Sequence, residues 1–261
     1  MIDAHVHIFH GNSGEYTIDL INSFIAQAQK NGIREIYMLE HTHQFHEFEQ
    51  VYKPIIDYNE YQKKWLSGKL KASLESYIQL VDKAKDFNFS IKVRFGLEAC
   101  YIPETEHILT SLLKHYKWDF VTGSVHYIDS WGFDHKAEFW HGIDVDMVYR
   151  RYYEIMLEMI NANLFNGVAH PDSIKCFGHY PSQDMSSTYT VLAEALNRAG
   201  MYAEQSGGLA LNYGSPELGM NPSMLRIFKA NNVRILTASD AHRSEHAGAN
   251  IKELHEKLML D

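Results

Sequence analysis

The stretch MIDAHVHIF (Met1–Phe9) opens the chain, and within it Ile2–Val6 has the short, apolar, β-branched character of a buried strand. His5 and His7 stand at the end of this strand. Because side chains alternate along a strand, both imidazoles point to the same face and can bind one metal ion. The opening stretch therefore predicts a strand that carries metal ligands at its carboxyl end.

Strands and helices alternate outward from this first strand to the end of the chain. Helical periodicity marks Thr17–Asn31, Lys71–Phe87, Met147–Asn163, Ser187–Ala199 and Pro222–Asn231. Such alternation predicts an α/β fold with a parallel sheet and helical crossovers. Seven units favour a single distorted (β/α)7 TIM-like barrel, with an open doubly wound sheet as the competing topology. The six further predicted strands are Glu35–Leu39, Ile91–Leu97, Phe120–Val125, Gly167–Ala169, Tyr202–Glu204 and Arg234–Thr237.

Residues 1–261 contain no linker rich in Pro, Gly or Ser and no repeat, so we predict one domain. The long aromatic and charged segments Gln44–Gly68 and Asp129–Asp144 are interpreted as insertions over the active-site face. The net charge of −9 disfavours binding to nucleic acid or to an anionic membrane. With two cysteines, no signal-peptide pattern and no membrane-spanning stretch, a cytoplasmic protein is expected. The oligomeric state is not indicated.

Potential metal ligands follow six of the seven predicted strands at or just beyond the carboxyl end, where β/α barrels build active sites. Each one alone has a simpler explanation: Glu98 could pair with Arg94, and Asp240 could cap the last helix. Together they favour a metal centre, because clustered buried charges without partners are very costly. Imidazole and carboxylate without cysteine suit Zn, Mn or Fe, and there are too many ligands for one ion. Besides His5 and His7, these residues are Glu40, His41, Glu98, His126, His170, Asp172, Asp240 and His242.

The order of these motifs resembles the PHP (polymerase and histidinol phosphatase) family of metal-dependent phosphoesterases. The blocks Gly123–Asp134, Leu164–Pro181 and Ser239–Gly248 resemble its histidinol-phosphatase branch in particular. The resemblance implies a PHP barrel that hydrolyses L-histidinol phosphate to L-histidinol and phosphate, in histidine biosynthesis, by attack of a metal-activated hydroxide. The motifs are His5-Val-His7, Gly96-Leu-Glu98, Gly123-Ser-Val-His126, Ala169-His170-Pro-Asp172 and Ser239-Asp240-Ala-His242.

The resemblance also implies how two or three divalent ions are held. A third ion would take His41, His242 and a residue of the loop after the first strand, for which Glu15 is the candidate and His10 its rival. The first ion would be held by His5, His7, Glu98 and Asp240, and the second by Glu98, His126 and His170.

The residues that contact the substrate are less clearly marked. Related phosphatases often carry an arginine soon after the glycine that corresponds to Gly208, but Leu209 follows here. Arg243, Lys175 and Arg151 are therefore the candidates for binding phosphate. Asp240, His242 and His43 are the candidates for proton donor, although His43 is equally compatible with a loop-lining role. The aromatic residues Trp131, Phe133 and Trp140 could form a wall over the substrate imidazole or pack in the core, and the sequence favours neither role.

Three other functions are compatible with the sequence. The chain could be a PHP phosphoesterase for another small ester such as a nucleotide, or a catalytically silent metal-binding barrel. An amidohydrolase-like barrel acting on C–N bonds also opens with two histidines separated by one residue. That fold usually has a lysine at a strand end, and no lysine occupies such a place here.

Overall fold

Seven parallel strands form the central sheet in a computed structural model that describes residues 1–8 and 16–260. A two-stranded antiparallel hairpin, β5 (Tyr127–Ile128) and β6 (Trp131–Gly132), follows the fourth strand of this sheet. In the sheet, each strand pairs with the next one in the order of the chain. The seven are β1 (Ile2–His7), β2 (Glu35–His41), β3 (Lys92–Cys100), β4 (Phe120–Ser124), β7 (Gly167–Val168), β8 (Tyr202–Ser206) and β9 (Arg234–Ala238).

The first and last strands of the sheet come together and nearly close it into a barrel. Val6 forms an isolated parallel bridge with Ala241 just beyond β9. The Asp3 carboxylate ties the two edges from within, because it accepts hydrogen bonds from Ser239 N at 2.8 Å and Ser239 Oγ at 2.7 Å. The predicted (β/α)7 barrel is thus confirmed, and the open doubly wound sheet is excluded because its edge strands would not meet.

Five helices confirm the sequence predictions: α1 (Ile18–Lys30), α4 (Leu74–Lys85), α6 (Val145–Asn161), α7 (Ser186–Ala199) and α9 (Pro222–Ala230). Local signals fix their ends, as at α7, where Gly200 adopts the left-handed conformation with φ of 66°. Five further helices of the described residues were not predicted, and they lie in or next to the insertion Gln44–Gly68 or in segments left unassigned. They are α2 (Lys53–Tyr58), α3 (Glu60–Lys69), α5 (Glu106–Leu113), α8 (Gly208–Tyr213) and α10 (Ile251–Met259).

A small apolar cluster fills the barrel interior below the carboxyl ends of the strands. The rings of Tyr37 on β2 and Tyr202 on β8 lie 6.3 Å apart although these strands are not neighbours, so they meet across the interior. On β2, Tyr37, Leu39 and His41 share one face, which places the apolar side chains below and the histidine above. We call this group, Ala4, Tyr37, Leu39, Phe120, Tyr202 and Leu236, the floor cluster.

The helices pack outside the strands over a much larger apolar core. Among residues 1–8 and 16–260, no helix has both the length and the apolar composition required to cross a bilayer.

Candidate metal centre

The carboxylate of Glu98, at the carboxyl end of β3, is fully buried and surrounded by imidazoles. Its Oε2 atom lies 3.2 Å from His5 Nε2, 3.3 Å from His7 Nε2 and 2.8 Å from His41 Nδ1. Its Oε1 atom lies 3.0 Å from His126 Nε2 and 3.4 Å from His170 Nε2. Five histidines from the ends of four different strands therefore converge on one carboxylate.

The electrostatics of the centre keep this carboxylate ionised. Burial alone would raise the pKa of Glu98, but the surrounding imidazoles outweigh it, His41 most strongly, and hold the pKa well below its usual range. Burial lowers the pKa of His41 to about 3, so this ring is neutral and offers a lone pair. An ionised carboxylate with both oxygens among ring nitrogens is suited to bridging two cations.

Asp240 and His242 complete the centre from the segment after β9. Asp240 Oδ1 lies 3.6 Å from Nε2 of both His5 and His7, and His242 Nε2 lies 3.4 Å from His41 Nε2. Asp240 has φ of 56°, a left-handed backbone that is uncommon for non-glycine residues, although Asp adopts it more readily than most.

Gly208, at the start of α8, leaves the space that Asp240 occupies. A Cβ atom at position 208 would lie 2.1 Å from Asp240 Oδ2, which is a severe clash. At the neighbouring Gly207 the nearest contact of a Cβ atom would be 3.4 Å, which is ordinary packing. A side chain at position 208 would therefore displace a carboxylate of the centre, whereas one at position 207 would not.

The spacing of the nitrogen atoms fits metal coordination. His5 Nε2 and His7 Nε2 are 3.0 Å apart, and His41 Nε2 and His242 Nε2 are 3.4 Å apart. Two ligands at Zn–N distances of 2.0–2.1 Å around a tetrahedral ion are about 3.4 Å apart. Among residues 1–8 and 16–260, three groups have ligand atoms close enough to share an ion: His7–His41–His242, His5–His7–Asp240 and His41–Glu98–His126. The donor set thus fits divalent cations.

Two further carboxylates orient the imidazoles and were missed by the sequence analysis. Both oxygens of Glu204, on β8, lie 3.0 Å from His5 Nδ1, and Oε2 accepts a hydrogen bond from the backbone of His170. Asp134 Oδ2 lies 2.8 Å from His126 Nδ1. Carboxylates placed in this way fix which ring nitrogen faces a metal. Glu204 closes a predicted strand and Asp134 ends a motif block, so both positions carried a signal that only contacts could interpret.

A cavity of about 560 Å³ opens above the centre. His41, His126, His170, Asp240 and His242 line it on the side of the barrel. Trp65 and Lys69 from α3 also line it, together with Asp134 and His135. Both predicted insertions, Gln44–Gly68 and Asp129–Asp144, thus contribute side chains to this face of the barrel.

Comparison with known proteins places the chain in a family. The model of the PHP domain matches residues 3–206. The chain belongs to the PHP family. The resemblance seen in the sequence motifs is confirmed, and Asp240 and His242 extend the ligand pattern beyond the matched segment.

Relatives of this PHP protein carry consistent names. The chain is 31% identical over 199 residues to a probable histidinol-phosphatase of Deinococcus radiodurans, covering 71% of this chain and 72% of that protein. It is 21% identical over 258 residues to a probable histidinol-phosphatase of Schizosaccharomyces pombe, covering 92% of this chain and 82% of that protein.

Solved structures show the same PHP fold. The histidinol phosphate phosphatase of Lactococcus lactis, crystallised with zinc, L-histidinol and phosphate, superposes with a TM-score of 0.71 at 19% identity and covers 100% of this chain and 94% of that one. The putative histidinol phosphatase of Listeria monocytogenes gives a TM-score of 0.74 at 16% identity, with 97% and 99% coverage.

The structure brings eight predicted metal ligands of this PHP protein into one cluster. The ninth, Glu15, and its rival His10 lie outside the described residues. His43, a predicted proton donor, is buried in the cavity wall and stacks on His41 with ring centroids 4.4 Å apart. The clustered residues are His5, His7, His41, Glu98, His126, His170, Asp240 and His242.

The predicted phosphate contacts of Lys175 and Arg151 do not agree with their placement. The Lys175 ammonium is buried, and its three donor positions are directed at Asp172 at 2.7 Å, Glu217 at 2.8 Å and the carbonyl of Gly219 at 2.9 Å. Its charge is neutralised, and no donor remains for a phosphate oxygen.

Arg151 lies on α6 and borders a different cavity, beside Trp131 and Met147. Its guanidinium forms ion pairs with Asp129, Glu154 and Glu158. Arg243 directly follows His242 in sequence, but its side chain is exposed and pairs with Glu245 at 2.5 Å. Of the three predicted cations, none borders the cavity over the metal centre in the part of the chain that the structure describes.

For Trp131, Phe133 and Trp140, the structure favours packing over a wall above the substrate imidazole. Phe133 and Trp140 are buried in the core, and Trp140 Nε1 donates a hydrogen bond to the Phe133 carbonyl at 2.8 Å. Trp131 packs against Trp140 with ring centroids 5.2 Å apart. Phe133 and Trp140 therefore belong to the core and Trp131 packs against it, whereas aromatic rings of Trp65, Tyr127 and Tyr213 border the cavity over the metal centre.

Proposed function

We propose that this PHP protein is a metal-dependent phosphatase that hydrolyses L-histidinol phosphate to L-histidinol and phosphate. The observation that carries the proposal is the convergence of five imidazoles on the buried Glu98 carboxylate at the base of an open cavity. A relative of 31% identity is named a probable histidinol-phosphatase, which supports this substrate over a nucleotide. A catalytically silent centre would not need a cavity beside its ligands.

The cluster would hold two or three divalent ions, with Zn, Mn and Fe as the candidates. Glu98 would bridge, since its two oxygens face different groups of imidazoles. When bound, such ions stabilise charge on phosphoryl oxygens and lower the pKa of coordinated water toward about 7. We assign His5, His7, Asp240 and Glu98 to the first ion, Glu98, His126 and His170 to the second, and His41, His242 and Glu15 to a third.

The other residues of the site would orient the ligands and handle the leaving group. Glu204 and Asp134 fix the ring orientations of His5 and His126. Of the three predicted proton donors, Asp240 and His242 lie within the ligand cluster, whereas His43 stands beside it in the cavity wall. We therefore favour His43 as the residue that donates a hydrogen bond to the departing alkoxide oxygen.

The single domain over residues 1–261 remains a prediction from the sequence. The cytoplasmic location is likewise a prediction. The small phosphorylated substrate is the proposed partner, and no oligomeric state is assigned.

The test is phosphate release from histidinol phosphate by the purified protein, with its metal content measured in parallel. We expect activity that disappears on exhaustive chelation and returns with Zn²⁺ or Mn²⁺. His126→Ala should lose most of the activity while its circular dichroism spectrum stays that of the wild type. Exposed His255→Ala is the control and should retain full activity. Turnover that survives chelation would refute metal dependence, and faster hydrolysis of a nucleotide would replace the substrate.

A further inference from the structure

Lys69 is the cation that the cavity over the metal centre offers to a phosphorylated ligand. In the described chain, the lining of this cavity includes one lysine or arginine side chain, and it is Lys69. We propose that the Lys69 ammonium binds the phosphate group of the substrate, an inference that rests on the proposed phosphatase function. This residue was not predicted from the sequence, and it directly follows Gln44–Gly68, the segment interpreted as an insertion over the active-site face.

The Lys69 ammonium has no carboxylate partner in the described part of the chain. Within residues 1–8 and 16–260 its ammonium forms no ion pair with a carboxylate, whereas Lys175, Arg151 and Arg243 each have at least one. The ammonium lies over the Trp65 ring, 5.4 Å from the centroid, in a half-buried position. A partly desolvated ammonium held only by a ring face gains most from an anion that enters the cavity.

The fold attaches the end of α3, and with it Lys69, to the cavity over the metal centre. Lys69 is the last residue of α3, and the chain after it is attached to the segment that follows His43. The backbone N–H groups of Lys71 and Ala72 donate to the carbonyl of Gln44 at 3.0 Å and 2.9 Å. This pairing holds the end of α3 beside the segment that follows His43 and fixes the point from which the Lys69 side chain extends.

A continuous row of ring contacts connects Lys69 to the ligand cluster. The ammonium lies over Trp65, the Trp65 ring contacts His43 with centroids 5.1 Å apart, and His43 stacks on His41 at 4.4 Å. His41 Nδ1 in turn lies 2.8 Å from Glu98 Oε2. Lys69 and the cluster therefore border one cavity and are connected by side chains in contact.

The charged side chains of the cavity wall also favour an anion beside Lys69. The acidic side chains in the described lining are Asp134 and Asp240, and both already contact imidazoles. Neither is paired with Lys69, so a phosphate would not have to displace a carboxylate from it. A dianionic ester thus meets cations from two directions, the metal cluster below and the Lys69 ammonium at the wall.

The test compares Lys69→Met with Lys64→Met, in which a lysine is lost from the exposed part of the same helix. Methionine keeps the alkyl chain and the helix propensity but removes the charge. Inorganic phosphate is titrated into the metal-loaded proteins by calorimetry, and the kinetics on histidinol phosphate are measured alongside. Metal content and melting temperature check that both variants are intact.

We expect Lys69→Met to weaken phosphate binding and to lower kcat/KM by about 10- to 100-fold, the loss of one charge-assisted hydrogen bond. Lys69→Arg should restore most of both, and Lys64→Met should match the wild type. Equal phosphate affinity in Lys69→Met and Lys64→Met would overturn the assignment, even if KM for the ester rises, because the contact would then be with the alcohol portion. If the wild type binds phosphate through Lys69 but does not hydrolyse histidinol phosphate, the proposed function fails and the phosphate site stands.

Discussion

Both carboxylate oxygens of Glu204 lie 3.0 Å from His5 Nδ1, although the two residues are 199 positions apart in the chain. Both side chains are fully buried. The same carboxylate accepts a hydrogen bond from the backbone N–H of His170 at 3.2 Å, so it contacts residues assigned to two different ions. This contact makes the Nε2 atom of His5 the one that faces the cluster, and it links the orientation of two ligands to one residue.

Glu204→Gln should therefore weaken metal binding without removing a ligand. Loss of such an outer carboxylate typically costs about 10- to 100-fold in metal affinity. Competition with a chromophoric chelator measures the affinity for Zn²⁺ or Mn²⁺. The exposed Glu194→Gln, on α7, serves as the matched control. Equal affinities in the two variants would mean that Glu204 is merely a buried acid.

Asp134→Asn is expected to weaken the binding of one ion, whereas Glu204→Gln should affect two. Asp134 contacts His126, which belongs to the second assigned ion, and it has no contact with His5. The variant should lose metal from that position first, and the metal-to-protein ratio measured by elemental analysis should fall by about one on mild dialysis, because the supporting hydrogen bond is gone. A uniform loss of all ions would contradict separate sites.

Gly208→Ala and Gly207→Ala are neighbouring substitutions with opposite expected results. The added Cβ at position 208 would clash with Asp240, and a ligand displaced by about 1 Å can cost on the order of 100-fold in rate. At position 207 the nearest contact is 3.4 Å, so activity should stay close to that of the wild type. Steady-state kinetics and metal affinity of both variants decide the matter. Similar kinetics in the two would show that Asp240 does not need its present position.

Metal binding should release protons. Burial lowers the pKa of His5 and of His126, but Glu204 and Asp134 respectively outweigh burial and raise each pKa well above its usual value. Both rings are therefore protonated in the metal-free protein at neutral pH, and a metal must displace these protons, so affinity should fall as the pH falls. Calorimetry in buffers of different ionisation enthalpy counts the protons. Glu204→Gln should release fewer, and an unchanged count would contradict the cause given for His5.

The floor cluster supplies stability and not chemistry. Leu39 is fully buried inside the barrel, and Leu39→Ala should lower the free energy of unfolding by about 2–5 kcal/mol. Val191→Ala, at an exposed position of α7, should change it by less than about 0.5 kcal/mol. Urea denaturation of the metal-free proteins measures both. A loss as small as that of Val191→Ala would show that the interior tolerates the cavity.

Most of the barrel could be predicted because its signals are local. Short runs of apolar and β-branched residues identified all seven strands, and the ligand motifs stood at their ends, as with His41 at the end of β2 and Glu98 in β3. The helices α2 and α3 were missed because they carry little local signal. In α3, for example, Gln62 and Leu66 are buried among charged neighbours, and the insertion packs on the barrel through tertiary contacts.

The sequence by itself determined the barrel and eight residues of the metal cluster, since parallel strands bring their carboxyl ends to one edge wherever the chain runs between them. Only the tertiary structure decided which charged side chains are paired within the protein and which can contact a ligand. It paired Lys175 and Arg151 with carboxylates, placed Glu204 against His5 and left Lys69 at the cavity. The free energy of a charged group depends on what surrounds it in space, and those neighbours come from distant parts of the chain.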